Sequence, residues 1–360
     1  MATNQTTEKQ QPPKKVDPAP DNIVLSFGVI ADVQYASSED GSDFKKTVVR
    51  RYRNSLHLLT VAVDEWKTQT EALGYPVQVL VQLGDLLDGR CQEQNGDRDE
   101  CLHRILSQFN RIPVERYDLI GNHELYNFSR NELNDPTGPL QTARMDEILQ
   151  KNSTFHSALV APGIRLVVLD PYEISTLNGD KQPSTVKAFD YLAGKNPNNV
   201  TVKGVDWTAG LEGMNQRFVP YNGAISSQQL EWLSTTLQRA LQNNERCFVL
   251  SHVSLQQGCC SVSCVIWNYE EVIECIHNPI GTGETPVVAC LYGHAHKGGY
   301  VQDERGIHHV TLQSPLEAVG EEVAYATVDV YSNQFHLRGK GRVPSRRLDF
   351  PSISLVPSSW

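Results

Sequence analysis

No apolar run in this chain approaches the roughly 18 consecutive residues of a membrane-spanning helix, so a protein without membrane association is expected. Positive charge is scarce as well. Lys and Arg number 32 against 42 Asp and Glu, a formal charge of -10. That deficit argues against sequence-independent binding to nucleic acid, whose affinity comes from lysines and arginines displacing counterions from phosphates. It also leaves a small phosphate ligand with no attractive global field, so such a ligand needs concentrated local charge, and bound metal ions are the most compact source. Cysteine is too thinly spread for a disulfide framework. Eight occur in 360 residues, with Cys259 and Cys260 adjacent, and they read as thiols of a reducing compartment. A cytoplasmic location is expected. Residues 1–20 are polar and proline-rich and lack the apolar segment of a signal peptide, so they read as a disordered tail.

What is present is enough apolar content, 39%, to bury a large core. Aliphatic and β-branched runs at Phe27 to Ala31, Val77 to Leu83, Tyr117 to Ile120, Leu166 to Leu169, Cys247 to Leu250 and Val287 to Tyr292 read as buried strands, each followed by a polar cluster. Helical patterns lie between them. One spans Thr47 to Thr68; another starts at Ser226, where Gln229 is placed to complete a capping box. Two strands, Ala324 to Tyr331 and Gln334 to Arg338, close the chain. The alternation predicts a layered α/β or α+β fold in one domain over residues 21–360. Residues 171–222, rich in Asn, Gly, Pro and Asp, interrupt the rhythm and read as an insertion, either a substrate loop or inert decoration.

The ligand-type residues fall at strand ends: Asp32 and Gln34 after the first strand, Asp85 after the second, Asn122 and His123 after the third, then His252, then His294 and His296. In open α/β sheets the crevice beyond the carboxyl ends of strands is where sites form, so these residues are expected to converge. Singly each is weak, since an Asp after a strand is commonly a turn former. His57, His103, His156, His277, His308, His309 and His336 are read as structural. The ordered set is another matter: Asp32-Val33-Gln34, Gly84-Asp85-Leu86-Leu87-Asp88-Gly89, Gly121-Asn122-His123-Glu124, Ser251-His252 and Gly293-His294-Ala295-His296.

These blocks resemble those of the calcineurin-like metallophosphoesterases, over roughly Phe27 to Lys297. The resemblance implies a four-layer sandwich of two β-sheets flanked by helices. It also implies two divalent metals, one held by Asp32, Gln34, Asp85 and His296, the other by Asp85, Asn122, His252 and His294, with Asp85 bridging. A bridging carboxylate offsets the repulsion of two dications about 3.5–4 Å apart. Oxygen and imidazole donors suit manganese, iron or zinc, and magnesium is a further possible occupant. His123 is implied to face substrate and to stabilise the transition state or protonate the leaving oxygen, with Asp88 and Glu124 behind it and Glu124 orienting it.

Two departures matter. Gln34 stands where most relatives carry histidine, replacing an imidazole by a harder amide oxygen, which favours manganese over zinc. Gly89 stands where protein serine/threonine phosphatases carry a phosphate-clamping arginine, which points to small phosphodiester or pyrophosphate substrates. The same blocks, with the GNHELYNFSR continuation, Tyr221 to Ser226 and GHAHKGGY, resemble the manganese-dependent ADP-ribose/CDP-alcohol diphosphatases. That resemblance implies hydrolysis of ADP-ribose to AMP and ribose 5-phosphate, and of CDP-choline, CDP-ethanolamine or CDP-glycerol to CMP and a phosphoalcohol. Phe44, Trp267 and Tyr269 are candidate stacking platforms for the nucleoside. The Cys259/Cys260/Cys264 cluster has no partner pair at zinc-site spacing. A cyclic-nucleotide or other phosphodiesterase is the enzymatic alternative; a non-catalytic scaffold is opposed by the retained ligand types and His123. A monomer is the default.

Overall fold

The structure, a computed structural model, describes residues 23–351 apart from residues 181 and 282. The expected tail over residues 1–20 lies outside the described residues. The chain lays down β1 (Leu25–Ile30), β2 (Val79–Gln82) and β3 (Glu115–Asp118), then β4 (His156–Ala161), β5 (Ile164–Val168), β6 (Arg246–Ser251), β7 (Val287–Tyr292), β8 (Gly299–Gln302) and β9 (His308–Thr311). It ends with β10 (Ala324–Val330), β11 (Gln334–Gly341) and β12 (Arg346–Asp349). Two six-stranded sheets result, ordered β12-β11-β10-β1-β2-β3 and β8-β9-β7-β6-β5-β4. Strands β1, β2 and β3 run parallel, as do β5, β6, β7 and β9.

The period of two along β1 explains the layers. Leu25, Phe27 and Val29 point between the sheets and pack with Leu166, Val168, Phe248 and Leu250 of the second sheet. Phe27 and Phe248 meet edge to face at 5.7 Å across that interface. The intervening positions face helices. Ile30 packs with Leu59, Trp66 and Leu80, and a Cβ on Gly28 would stand 2.6 Å from Trp66 Cε2, so only glycine lets the indole lie on the strand.

The helices are α1 (Tyr52–Leu73), α2 (Arg98–Phe109), α3 (Asn122–Asn127), α4 (Arg130–Asn134), α5 (Pro183–Ala193), α6 (Ser227–Gln242) and α7 (Tyr269–His277). Helix α1 starts later than Thr47 because Asp43 captures Thr47, accepting from its backbone N–H at 2.6 Å and its hydroxyl at 2.8 Å. Its end is set by Gly74 at φ 84, whose N–H caps Thr70 O. The Ser226 hydroxyl accepts from Gln229 N as expected, but the capping box is not closed. The Gln229 amide instead brackets the Asp170 backbone, and the Ser226 N–H goes to Glu173 Oε2 at 3.2 Å. Residues 171–222 are more ordered than their composition suggests: they contain α5, and Asn222 Nδ2 ties their end to the carbonyls of Arg217, Ser263 and Val265. No helix among the described residues is long and apolar enough to cross a membrane. The eight cysteines are free.

His156 opens β4 buried against the Tyr117 ring, 6.1 Å away. Burial, aided by the Arg144 charge, pushes its imidazole from 6.5 down to about 4. The unfolded chain therefore binds more protons than the fold between those values, and stability falls as pH drops through that window. The loss at pH 4 relative to pH 7 is on the order of 3 kcal/mol for this group. A His156→Leu variant is expected to lose less of its unfolding midpoint than the parent between pH 7 and pH 4.5. Parallel curves for the two proteins would remove His156 as a contributor.

Candidate metal centre

Five parallel strands deliver the site. Asp32 and Gln34 leave β1, Asp85 leaves β2, Asn122 and His123 open α3 after β3, and His252, His294 and His296 leave β6 and β7. The turns are tight enough to force left-handed backbone on residues that avoid it: φ is 52° at Asp32, 42° at Gln34, 59° at Asp85 and 66° at His294. Each such non-glycine residue carries strain of roughly 1–2 kcal/mol, which persists only where surrounding contacts over-determine it. The glycines of the motif blocks make room. A Cβ at Gly84 would lie 2.3 Å from His252 Nδ1, and one at Gly121 would lie 2.1 Å from Asp85 Oδ1.

The expected convergence is found. Gln34 Nε2 donates to Asp85 Oδ2 at 2.9 Å and lies 3.0 Å from His296 Nε2. His252 Nε2 is 3.4 Å from Asp85 Oδ2 and 3.2 Å from His294 Nδ1. The carboxylates are aimed by the backbone of other site residues: His294 N–H donates to both oxygens of Asp32 at 2.9 and 3.0 Å, and His123 N–H to Asp85 Oδ1 at 2.8 Å. Asn122 Oδ1 accepts from the Tyr172 hydroxyl at 3.3 Å.

Each imidazole is pinned on its outer nitrogen by an acceptor. His252 Nδ1 faces Leu83 O at 2.7 Å, His296 Nδ1 faces Glu317 Oε1 at 2.8 Å, and His294 Nε2 faces Asn222 Oδ1 at 2.9 Å. The Asn222 amide cannot be reversed without losing its three Nδ2 bonds to backbone carbonyls. An acceptor on one ring nitrogen places the proton there and leaves a lone pair on the other. The inward nitrogen of each ring is thus left to a cation or to a second proton.

Electrostatics record the crowding. Burial raises Asp32 to about 6 despite His296 and His252. Burial opposes ionisation of Asp85 too, but the charges of His252 and His123 hold its carboxyl below the ordinary range. Burial disfavours charge on His252, yet Asp85 outweighs it and lifts the imidazole to about 9, whereas burial and the His252 charge drive His294 well down. The buried Gln34 Oε1 has no hydrogen-bond partner. Inward lone pairs, two carboxylates and an uncommitted amide oxygen fit a divalent cation and nothing neutral.

Around this centre the expectations divide. His123 lines the adjoining cavity, its Nδ1 accepting from Gly89 N–H at 3.0 Å and lying 3.3 Å from Asp88 Oδ2. Asp88 therefore stands behind His123. Glu124 does not: it accepts from the N–H groups of Asp85, Leu86 and Gly121 at 2.7–2.8 Å, fastening the two ligand loops together. Burial, with the Asp85 charge, pushes its carboxyl up to about 8 against those donors.

The cavity encloses about 530 Å³. Phe44 is on its wall, but Trp267 and Tyr269 are not. Trp267 is fully buried, stacked 5.6 Å from Tyr191 with its Nε1 donating to Val219 O, and Tyr269 lies under the Arg217 guanidinium at 5.1 Å. Both are packing residues. The aromatic wall is completed by Trp207 and Tyr221, from the 171–222 segment, and by Tyr126, while Lys45 and Arg50 stand in the lining together with Asp43 and Asp206. Trp207 was legible only as an aromatic in a loop region, Tyr221 and Asn222 only as members of the Tyr221 to Ser226 block without a role, and Glu317 carried no signal.

Residues 25–298 match the family model described as calcineurin-like phosphoesterase. The chain belongs to that family. Among curated proteins it is similar to the manganese-dependent ADP-ribose/CDP-alcohol diphosphatase of Arabidopsis thaliana, 36% identical over 89% of this chain and 96% of that one. The protein of the same name from Homo sapiens is 34% identical over 91% of this chain and 93% of its own. Among solved structures, a dimetal phosphatase from Danio rerio superimposes with a TM-score of 0.82 at 31% identity, covering 91% of this chain and 100% of that chain. The four-layer calcineurin-like sandwich and the subgroup resemblance read from the motif blocks both hold.

Replacing an outer acceptor should loosen metal without unfolding the sheets. Asn222→Ala or Glu317→Ala is expected to weaken manganese binding roughly 10- to 100-fold, measured by the electron paramagnetic resonance signal of free Mn²⁺. Unchanged affinity in both variants would mean that the histidines are held by packing alone.

Proposed function

We propose that this member of the family hydrolyses the pyrophosphate bond of ADP-ribose and of CDP-alcohols, with Asp32, Gln34, Asp85 and His296 holding one divalent ion and Asp85, Asn122, His252 and His294 the other. The observation that carries the reading is the clustering of Asp85, His252 and His294 beside a cavity lined by Gln34, Asn122, His296 and several aromatics, in a chain similar over nine-tenths of its length to proteins bearing that activity in their names. Divalent ions there would offset pyrophosphate charge and make water acidic enough to attack phosphorus near neutral pH.

The chain's own groups do the rest. Because Gly89 N–H donates to His123 Nδ1, the ring proton sits on Nε2, available to a phosphoryl or leaving oxygen on the cavity side. Asp88 Oδ2 stands 3.3 Å from Nδ1, behind the ring. Lys45 and Arg50 line the cavity together with Asp43 and Asp206, so its wall carries both signs and the bound metal ions would be the main counter-charge for pyrophosphate. Phe44, Trp207 and Tyr221 offer flat apolar surface to the nucleoside. Free thiols throughout fit a cytoplasmic enzyme.

Manganese-loaded protein offered ADP-ribose, CDP-choline and cyclic AMP should release AMP with ribose 5-phosphate from the first and CMP from the second. A wide preference for the cyclic nucleotide would overturn the assignment. His123→Ala should lower kcat by roughly 10²-fold or more while leaving manganese binding intact. After metal stripping, manganese should restore a higher rate than zinc at matched free concentration, and Gln34→His should narrow that gap by returning an imidazole.

A further inference from the structure

Among the described residues, two groups of three or more His, Cys, Asp or Glu donors bring their ligand atoms within 4.8 Å of one another. One is Asp85, His252 and His294. The other is Cys91, Asp97 and Cys101, which the proposed reaction does not use. Its geometry follows from local structure. Asp97 and Cys101 are one helical turn apart, at the N-cap and in the first turns of α2, so they share a face. Cys91 is brought over them by a five-residue π turn, Cys91–Asn95, which closes at Gly96 with φ 65°.

Three features set this group apart from ordinary buried thiols. Both cysteines are essentially excluded from solvent, at 0% and 1% exposure. Asp97 stands at an N-cap, where Asp normally bonds the helix's free N–H groups, yet its side chain makes no capping bond. Its Oδ1 is buried and has no hydrogen-bond partner, while Oδ2 is held by the Ser37 hydroxyl. A buried acceptor left without a donor is destabilising, the more so when it is charged. A cation between the carboxylate and the two sulfurs removes that penalty.

We propose that Cys91, Asp97 and Cys101 form a second metal site, selective for a soft or borderline divalent ion such as Zn²⁺ or Cd²⁺. Two thiolates and one carboxylate match tetrahedral coordination with water in the fourth position, and the sulfurs discriminate against manganese and magnesium. Binding is a ligand exchange without redox change: each thiol releases its proton to solvent and its sulfur lone pair forms the new bond, so affinity rises with pH. The Cys91 thiol donates to Tyr35 O at 3.3 Å and gives up that bond when its sulfur binds the ion.

The placement gives the site a purpose. Tyr35 O also accepts from Asp88 N at 3.0 Å, and Cys91 N donates to Asp88 O at 3.1 Å. Ser37 lies three residues beyond Gln34, and Asp97 binds it. An ion here clips the Asp32-Val33-Gln34 loop and the Gly84–Gly89 loop onto α2, bracing one wall of the catalytic centre from outside.

The test uses reduced full-length protein with manganese saturating the catalytic centre. One equivalent of Cd²⁺ should produce a thiolate-to-metal charge-transfer band, a signature that carboxylate and imidazole ligands lack. Cys101→Ser and Asp97→Asn should abolish or weaken it, and Cys260→Ser should leave it intact. No band, or a band indifferent to Cys101→Ser, overturns the proposal. A second measurement needs no variant: in urea below the unfolding transition, Cd²⁺ at ten times its dissociation constant should slow alkylation of Cys91 and Cys101 roughly tenfold, as mapped on peptides. Equal rates with and without the ion overturn it as well.

Discussion

Lone pairs of three imidazoles, two carboxylates and an amide meet in a space where water is excluded. Such groups repel one another, and burial removes the solvent that would screen them. His252 Nε2 and His294 Nδ1 stand 3.2 Å apart with the opposite nitrogen of each ring facing an outer acceptor, so this pair calls for either a shared proton or a cation, and the raised His252 imidazole records that demand. The protein holds it by force of surroundings: left-handed backbone at Asp32, Gln34, Asp85 and His294, and acceptors fixed behind each ring. Strain and desolvation are stored where the cation binding energy can offset them, and this concentration of unfavourable terms is the physical signature of the site.

Because donors come from both sheets, the centre depends on the register between them. Asp32, Gln34, Asp85 and Asn122 hang from the first sheet, the three histidines from the second. Their mutual distances are set by the interlocked inner faces, where Phe27 meets Phe248. A cavity in that core would shift one half-set against the other, and a displacement of a few tenths of an ångström matters to coordination in a way it does not to packing. Core and site are therefore one mechanical object, cross-tied by Glu124 between the two loops of the first sheet and by the bond from His294 N to Asp32 across the sheets.

How much of this could be read from the chain follows from the range of each interaction. The strand-end blocks were legible because a buried parallel strand, a tight turn and a donor follow one another within a few residues, and topology does the rest. Glycines 84 and 121 were legible as motif members, though their reason, clearance for His252 and Asp85, is spatial. The roles of Asn222, a member of the Tyr221 to Ser226 block, and of Glu317 were not, since they meet their histidines across 72 and 21 residues in segments without periodicity. Trp267 and Tyr269 were misplaced for a related reason: an aromatic beside a ligand loop looks alike whether it turns to the cavity or to the core, and only the Val219 carbonyl and the Tyr191 ring decide. Glu124 was placed in the right neighbourhood but on the wrong partner, because a side chain three residues into a helix turn reaches its own N-terminus more easily than the ring beside it.

The 171–222 segment gives the site a property that neither sheet supplies. Trp207 and Tyr221 stand on the cavity wall, and the next residue, Asn222, fixes the tautomer of His294 while its Nδ2 staples the segment to the Ser263 and Val265 carbonyls. One short stretch thus touches the substrate wall on one side and a metal-facing imidazole on the other. Movement of the wall pulls on Asn222, and loss of the acceptor frees His294 to carry its proton on the inward nitrogen, where it would oppose a cation. The shape of the cavity wall and the tautomer of His294 are consequently not independent variables here: a change in the 171–222 segment large enough to reshape the wall acts on the same Asn222 amide that faces His294 Nε2.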